Sequence, residues 1–152
     1  MPLAAAQVVN AIATRITGLS LAGVRVYTDR AWPLAEDALP AWKVVAVDED
    51  VDPQTIHAPV LEQHALQIEL QGYAKAVAGL DDALHALASE ALTALFNAPG
   101  LPDALSGLTS TIITTRRIER AMQKEGEAVL GLVTITLRGE FRTLSNAPDT
   151  IL

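Results

Sequence analysis

The chain has 152 residues, of which 50% are hydrophobic and only 4% are aromatic, so its size and composition predict one globular domain with an aliphatic core. A formal charge of −7 argues against wrapping nucleic acid and against binding an anionic membrane surface. The absence of cysteine excludes disulfides, zinc–thiolate sites and cysteine nucleophiles.

The first third of the chain predicts one helix and two strands. Residues 3–17 carry apolar side chains at helical spacing, and polar residues interrupt the run, which favours an amphipathic helix over a signal peptide. The segment "GVRVYTD" alternates as a short strand, and "DRAWPLAEDALPAW" has two prolines and no period, which indicates a loop. The dense apolar content of "AWKVVAVDED" predicts a second strand, and "DEDVDPQTIHAP" an acidic loop after it. No stretch is apolar for 18 consecutive residues, so we expect no transmembrane span.

The middle of the chain gives the clearest patterns. Residues 64–76, "HALQIELQGYAKA", alternate so that Leu66, Ile68, Leu70 and Ala74 share one face. Their neighbours Gln67, Glu69, Gln71 and Lys75 form a wet face without catalytic groups. The next segment, "AGLDDALHALASEALTALFN", predicts the strongest helix, with a buried stripe of Leu80, Leu84, Leu87, Ala91 and Leu95.

The last third predicts a hairpin of two strands. Residues 108–120 are β-branched and alternating, "AMQKEGEA" is a turn, and residues 129–144 return as a second long strand. The inward side chains of that strand are Val129, Val133, Ile135, Leu137 and Phe141. Residues 145–152 are expected to be a flexible C-terminal tail after a single domain of residues 1–144.

The predicted order of elements is α-β-β-β-α-β-β. Runs of strands between two helices favour the α+β class, in which two helices pack on one face of a mixed or antiparallel sheet. We see no repeats and no interdomain linker.

Acidic residues at positions 48, 50 and 52 begin like a calcium-binding loop. The sixth position of such a loop is Gly and the twelfth is Glu, but Pro53 and Pro59 stand there, which excludes an EF-hand. The alternatives are a solvated acidic loop and a weak divalent-ion site at Asp48, Asp50 and Asp52, completed by another subunit.

The sequence offers little for catalysis. His57, His64 and His85 lie in no metal-binding frame, and we expect them at the surface or in capping positions. No serine lies in a nucleophile elbow, and no glycine-rich phosphate loop occurs. We therefore expect no enzyme activity and no cofactor.

The stretch "RRIERAMQK" holds Arg116, Arg117, Arg120 and Lys124, four of the eleven basic residues. It lacks the aromatic partners of a single-stranded nucleic-acid site. It is either a solvated hairpin tip or a contact for the acidic stretch of a neighbouring copy. Opposite charges on opposite sides of one chain suit a head-to-tail ring, which makes Arg116, Arg117, Arg120, Asp48, Asp50 and Asp52 candidate subunit-interface residues.

Nearly the whole chain resembles one family in its order of elements. An N-terminal helix precedes "RVYTDRAWPL", Pro40 stands before the second strand, and "LEQHALQIELQGYAKA", "GLDDALHALASEAL" and "EGEAVLGLVTITLRGEF" follow. Taken together, these segments resemble the tail terminator proteins of long-tailed bacteriophages and prophages, the minor tail protein U group. None of these segments is a catalytic motif, so the resemblance rests on order and texture.

The resemblance implies an α+β fold and a structural function in the virion tail. Subunits of that family form a ring, commonly a hexamer, which caps the finished tail tube, stops its polymerisation and presents a surface to the head. The implied partners are further copies of the chain, the tail tube protein and a head-side connector protein, assembled in the bacterial cytoplasm. The alternatives are another head–tail joining or tail completion ring protein and a small α+β ligand-binding module, which would need a closed apolar pocket.

Overall fold

A computed structural model describes residues 3–28, 39–76, 78–96, 111–125 and 128–152. The elements follow the predicted order α-β-β-β-α-β-β, and the α+β class is confirmed. Their bounds are α1 Ala4–Ile16, β1 Val26–Tyr27, β2 Ala41–Pro53, β3 Leu61–Ala76, α2 Leu80–Phe96, β4 Ile112–Glu125 and β5 Ala128–Leu144. Neither described helix is long and apolar enough to cross a membrane.

The described strands form one mixed sheet with the spatial order β1-β2-β3-β5-β4. Short β1 runs parallel to the start of β2, and every other neighbouring pair is antiparallel. The central pair, β3 and β5, is continuous from Leu61 opposite Leu144 to Ala76 opposite Val129, without a register shift. The two longest strands therefore run through the middle of the sheet.

One face of this sheet carries the hydrophobic core. The predicted inward residues of β3 are buried, and Val133, Ile135, Leu137 and Phe141 of β5 lie beside them. The predicted stripe of α2 is buried in full, from Leu80 to Leu95. Helix α1 buries Val8, Val9, Ile12 and Ile16 in the same cluster. Both helices therefore cover one face, which we call the helix face.

Polar contacts link the two helices. The Arg15 guanidinium donates from Nε to the carbonyl oxygen of Ala94 at 2.8 Å, near the end of α2 where carbonyl groups lack partners within the helix. The Glu90 carboxylate accepts hydrogen bonds from the Ser20 hydroxyl and the Leu21 amide. These bonds fix the segment after α1 against α2.

Three predicted boundaries are wrong. The acidic stretch after residue 47 is not a loop, because β2 continues to Pro53 and pairs with β3 along its whole length. The final hairpin is longer than predicted, since β4 extends to Glu125 through most of the expected turn. The first strand is shorter and keeps only Val26–Tyr27. Most of the loop predicted from residue 29 and the start of the strand predicted from residue 108 lie outside the described residues.

Residues 145–152 turn back along the end of β5. The Ala4 amide donates to the carbonyl of Pro148, and the Leu152 amide donates to the carbonyl of Arg142. Ile151 is partly buried against the core. The predicted flexibility of this tail concerns its motion, and it stays a prediction.

Truncating Leu87 tests the assignment of the buried face of α2. We expect Leu87→Ala to lower the free energy of unfolding by about 2–5 kcal/mol, because Leu87 is only 2% exposed and the deletion leaves a cavity. Chemical denaturation measures this loss. The exposed Ser89→Ala is the control, expected within about 0.5 kcal/mol of the parent protein. A loss that small at Leu87 would contradict the assignment.

Gly72 tests how closely α2 approaches the sheet. A methyl group there would lie 2.9 Å from Leu87 Cδ2, Trp42 Cζ3 and Val133 Cγ1. We expect Gly72→Ala to cost about 1–3 kcal/mol by overpacking. At Gly139 the closest contact would be 3.1 Å, to Ile113 Cδ1, so Gly139→Ala is the matched control with a smaller cost. Equal thermal stabilities of the two variants would show that α2 does not pack closely against Gly72.

Candidate subunit interface

The sheet face opposite the helices, which we call the open face, carries a row of polar side chains along β3 because this strand alternates. Along β3 its side chains bond to one another: Gln71 donates to Glu69 at 3.0 Å, and the Tyr73 hydroxyl donates to Gln71 at 2.9 Å. The Arg142 guanidinium on β5 donates to Gln63 Oε1 at 2.9 Å. The polar side chains of β3 on this face therefore hydrogen-bond to one another and to β5.

Tyr73 closes this row of hydrogen bonds in a buried position. Burial, and to a smaller extent the nearby Glu69 carboxylate, raise the pKa of the Tyr73 phenol above its usual value. The phenol therefore stays protonated where an exposed tyrosine begins to ionise, and it keeps donating to Gln71.

The predicted acidic residues lie on strand β2 and not in a loop. Its register shifts between Ala46 and Asp48, so Val47 is an extra residue in a β-bulge. Beyond the bulge, Asp48, Asp50 and Asp52 pair with Gln67, Ala65 and Gln63, which places all three on the open face. Alternation separates them along the strand, with an intervening residue on the helix face each time.

The predicted basic residues divide between the two faces of β4. A second bulge, between Thr115 and Arg117, inserts Arg116 opposite Thr136. Arg116 and Arg117 therefore share the open face, whereas Arg120 lies on the helix face, where its Nη2 is 3.3 Å from His85 Nδ1 of α2. The six candidate residues thus do not form one patch.

A groove of about 350 Å³ crosses the open face and brings some of the candidates together. Asp48 and Asp50 line one side, Arg116 and Arg138 line the other, and Ala65 lies between them. Asp52, Arg117 and Arg120 are not among its lining residues. The groove is therefore acidic towards β2 and basic towards β4 within a single chain.

The ion pairs of this face are exposed and weak. Arg117 contacts Glu119 at 2.8 Å, and Arg138 contacts Glu140 at 2.9 Å. Exposed pairs of this kind contribute about 0–1 kcal/mol each. They leave the arginines available for exchange with the acidic groups of a partner.

The prediction that His64 lies at the surface or in a capping position is wrong, because His64 is buried on the helix face with 8% of its surface exposed. Its Nδ1 is 2.6 Å from Glu49 Oε1, its Nε2 is 2.7 Å from Thr143 Oγ1, and its ring stacks on Phe141. Its parity with Leu66 is the signal that could have placed it there. Thr143 is fully buried, so its hydroxyl is closed to a substrate. The cluster instead ties the end of β2 to β5 across β3. His57 and His85 are exposed.

Within the described ranges, no group of three or more His, Asp or Glu side chains is placed to hold a metal ion. The predicted weak ion site at Asp48, Asp50 and Asp52 depends on ligands from another subunit, and it stays a prediction.

The sheet has two long outer strands. Among the described residues, β1 covers only Trp42 and Lys43 of β2, and no strand covers the outer side of β4. Large apolar side chains are exposed along both: Val47 and Val51 on β2, and Ile112, Ile118 and Met122 on β4. We call residues 46–53 the acidic edge and residues 112–125 the basic edge. Uncovered edges with apolar side chains are sites of pairing with another chain.

Comparison with known proteins leaves the family open. A scan of protein-family models and a search of curated proteins find no match. Among solved structures, the chain is similar to a chain in the virion of a native gene transfer agent particle. The match has 16% sequence identity and a TM-score of 0.43, and it covers 91% of this chain and 95% of that chain. At this identity and TM-score the likeness does not bear on function.

The raised pKa of Tyr73 predicts that the free energy of unfolding falls at alkaline pH. In the folded chain the pKa of Tyr73 is raised, whereas in the unfolded chain the phenol ionises at about 10. Unfolding therefore releases a proton above that pH, and the free energy of unfolding falls as pH rises further. Below a pH of about 10, the stabilisation that Tyr73 contributes is fully present. Urea denaturation at stepped pH should show that Tyr73→Phe removes this part of the decline. Tyr27→Phe, which also replaces one phenol, is the control. Identical pH profiles for Tyr73→Phe and the parent protein would contradict the assignment.

Proposed function

We propose that this chain is a structural subunit of a bacteriophage-type tail. Copies of it, commonly six, form a ring that caps the completed tail tube, ends tube polymerisation and provides the surface for head joining. The sequence resemblance to tail terminator proteins supports this function, and the α+β order that the resemblance implies agrees with the described elements.

The observation that carries the proposal is the pair of outer strands with opposite charge. The acidic edge holds Asp48, Glu49, Asp50 and Asp52, and the basic edge holds Arg116, Arg117 and Arg120. The edges lie at opposite sides of one sheet, with β3 and β5 between them. A contact between two different surfaces of identical subunits is heterologous, and it closes into a ring when the rotation permits.

The overall charge suits a ring through which DNA passes. At −7 the chain repels phosphate, so a lumen built from it would not retain the nucleic acid. We propose that the ring meets the tail tube protein on one side and a head-side connector protein on the other. It would be assembled in the bacterial cytoplasm and remain in the virion tail. In this function the protein is not an enzyme and needs no cofactor.

Reversing the basic edge tests the proposal. We expect the triple variant Arg116→Glu, Arg117→Glu and Arg120→Glu to stay folded and monomeric, because its exposed ion pairs add little to stability. It should fail to form rings, and in a phage assembly assay its tails should be overlong. Salt should weaken the parent ring, since exposed charges are screened beyond about 10 Å at 0.1 M.

Two controls separate the contact from general charge. Arg142→Glu reverses a charge on the open face of the central strand β5, away from both edges, and should leave the ring intact. The second control adds Asp48→Lys, Asp50→Lys and Asp52→Lys to the triple variant. The three arginine changes lower the net charge by six and the three aspartate changes raise it by six, so the net charge stays at −7. This swap should restore rings. Tails of normal length from the triple variant would overturn the pairing.

A further inference from the structure

The backbone of the acidic edge points its free groups outward at defined residues. The Trp42 amide donates to the carbonyl of Arg25, the residue before β1, so the backbone groups of Trp42 point to the outer side. Alternation through the single bulge at Val47 gives Glu49, Val51 and Pro53 the same direction. The Gln54 amide, next along, donates inward to Leu61 as this parity requires. Pro53 lacks an amide hydrogen, and it stands where an edge strand tolerates that.

The outward backbone groups of the basic edge follow from the strand register. Gly72 lies opposite Trp42, so its backbone groups point to β5, where Val133 faces it. The flanking residues of β5, Leu132 and Thr134, therefore bond to β4. Their partners on β4 are Ala121 and Glu119. The intervening residues of β4, which are Ile118, Arg120 and Met122, point their amides and carbonyls outward.

We propose that β4 of one copy pairs antiparallel with the acidic edge of the next, with Ile118 opposite Val51 and Arg120 opposite Glu49. The pairing would make one continuous sheet around the assembly. β2 and β4 run in opposite directions, because three antiparallel steps separate them. Val51 lies level with Phe141 of β5 and Ile118 lies level with Ile135, six residues away. A rotation about an axis inclined to the strands accommodates this offset and places β2 and β4 antiparallel across the contact. This inference rests on the proposed ring for its repetition.

The register follows from the side chains. Val51 and Ile118 are 49% and 40% exposed on their own, and both lie on the helix face, where they would cover each other. In the same register Arg120 meets Glu49.

On the open face, this register places Arg117 opposite Asp52. Glu119 would face Asp50, but it is already paired with Arg117 at 2.8 Å. A shift of two residues in either direction places Ile118 opposite Glu49 or Pro53, which loses the apolar match.

Cysteine cross-linking tests the register, because the chain contains no cysteine of its own. We expect Val51→Cys with Ile118→Cys to form, under mild oxidation, a ladder of covalent multimers that consumes the monomer band. Opposed residues of antiparallel strands lie about 5.5 Å apart between Cα atoms, within disulfide range. Inside one chain the two sites are three strand spacings apart across the sheet, about 14 Å, and six residues apart along the strands, about 20 Å, which prevents an internal bond.

The off-register control is Val51→Cys with Met122→Cys, four residues away, or about 13 Å along the strand. It should cross-link far more slowly, and each single cysteine variant should give no more than a dimer. A second variant, Val51→Pro, removes one outward amide while sparing the bonds to β3. It should keep the circular dichroism of the parent protein and lose assembly.

The outcomes separate this inference from the proposed function. If the parent protein forms rings or ends tail tubes but the matched pair cross-links no faster than the control, the edge pairing is wrong and the function stands. If the matched pair gives the ladder but the protein does not end tubes, the pairing stands and the function is wrong. Absence of both assembly and cross-linking overturns the pairing.

Discussion

The uninterrupted pairing of β3 with β5 is the constraint on which the other features of the structure depend. Sixteen residues of each strand are in register from Leu61 to Ala76. Because side chains alternate with a period of two, this register sends one set to the helix face and the other to the open face without exception. Glycines at 72 and 131 leave room on the helix face for the leucines of α2. An aliphatic core then forms with few aromatic residues.

The outer strands β2 and β4 each contain one bulge, whereas the central pair contains none. Val47 lets β2 continue to Pro53 with its aspartates on the open face, and the bulge at Arg116 places Arg116 and Arg117 together on the open face. The His64 cluster holds the far end of β2 on the sheet through Glu49 and Thr143. The acidic edge is thereby a paired, positioned strand that can present its outer side to a partner.

Much of the fold could be predicted from the sequence, because its strongest patterns are periodic. The alternation of residues 64–76 and the leucine stripe from Leu80 to Leu95 each place the core face directly. The acidic stretch could not be placed, since Asp and Pro disfavour strands by local propensity while pairing with β3 overrides it.

The candidate interface was predictable only in its composition. The arginines could be found by their charge, but a bulge at Arg116 carries no sequence signal, and simple alternation separates Arg116 from Arg117 where the structure unites them. The burial of His64 was predictable from its parity with Leu66, although its partners Glu49 and Thr143 lie on the two neighbouring strands and follow from no local pattern.

In the proposed ring, copies of this chain meet through two different edges. Sedimentation equilibrium of the parent protein across concentration tests it most directly, because a heterologous contact and an isologous one give different masses. We expect monomer or weak association in dilute solution and a single closed ring, commonly a hexamer, when the protein is concentrated. A tight dimer at every concentration would show that the contact is isologous, and it would rule out the proposed ring.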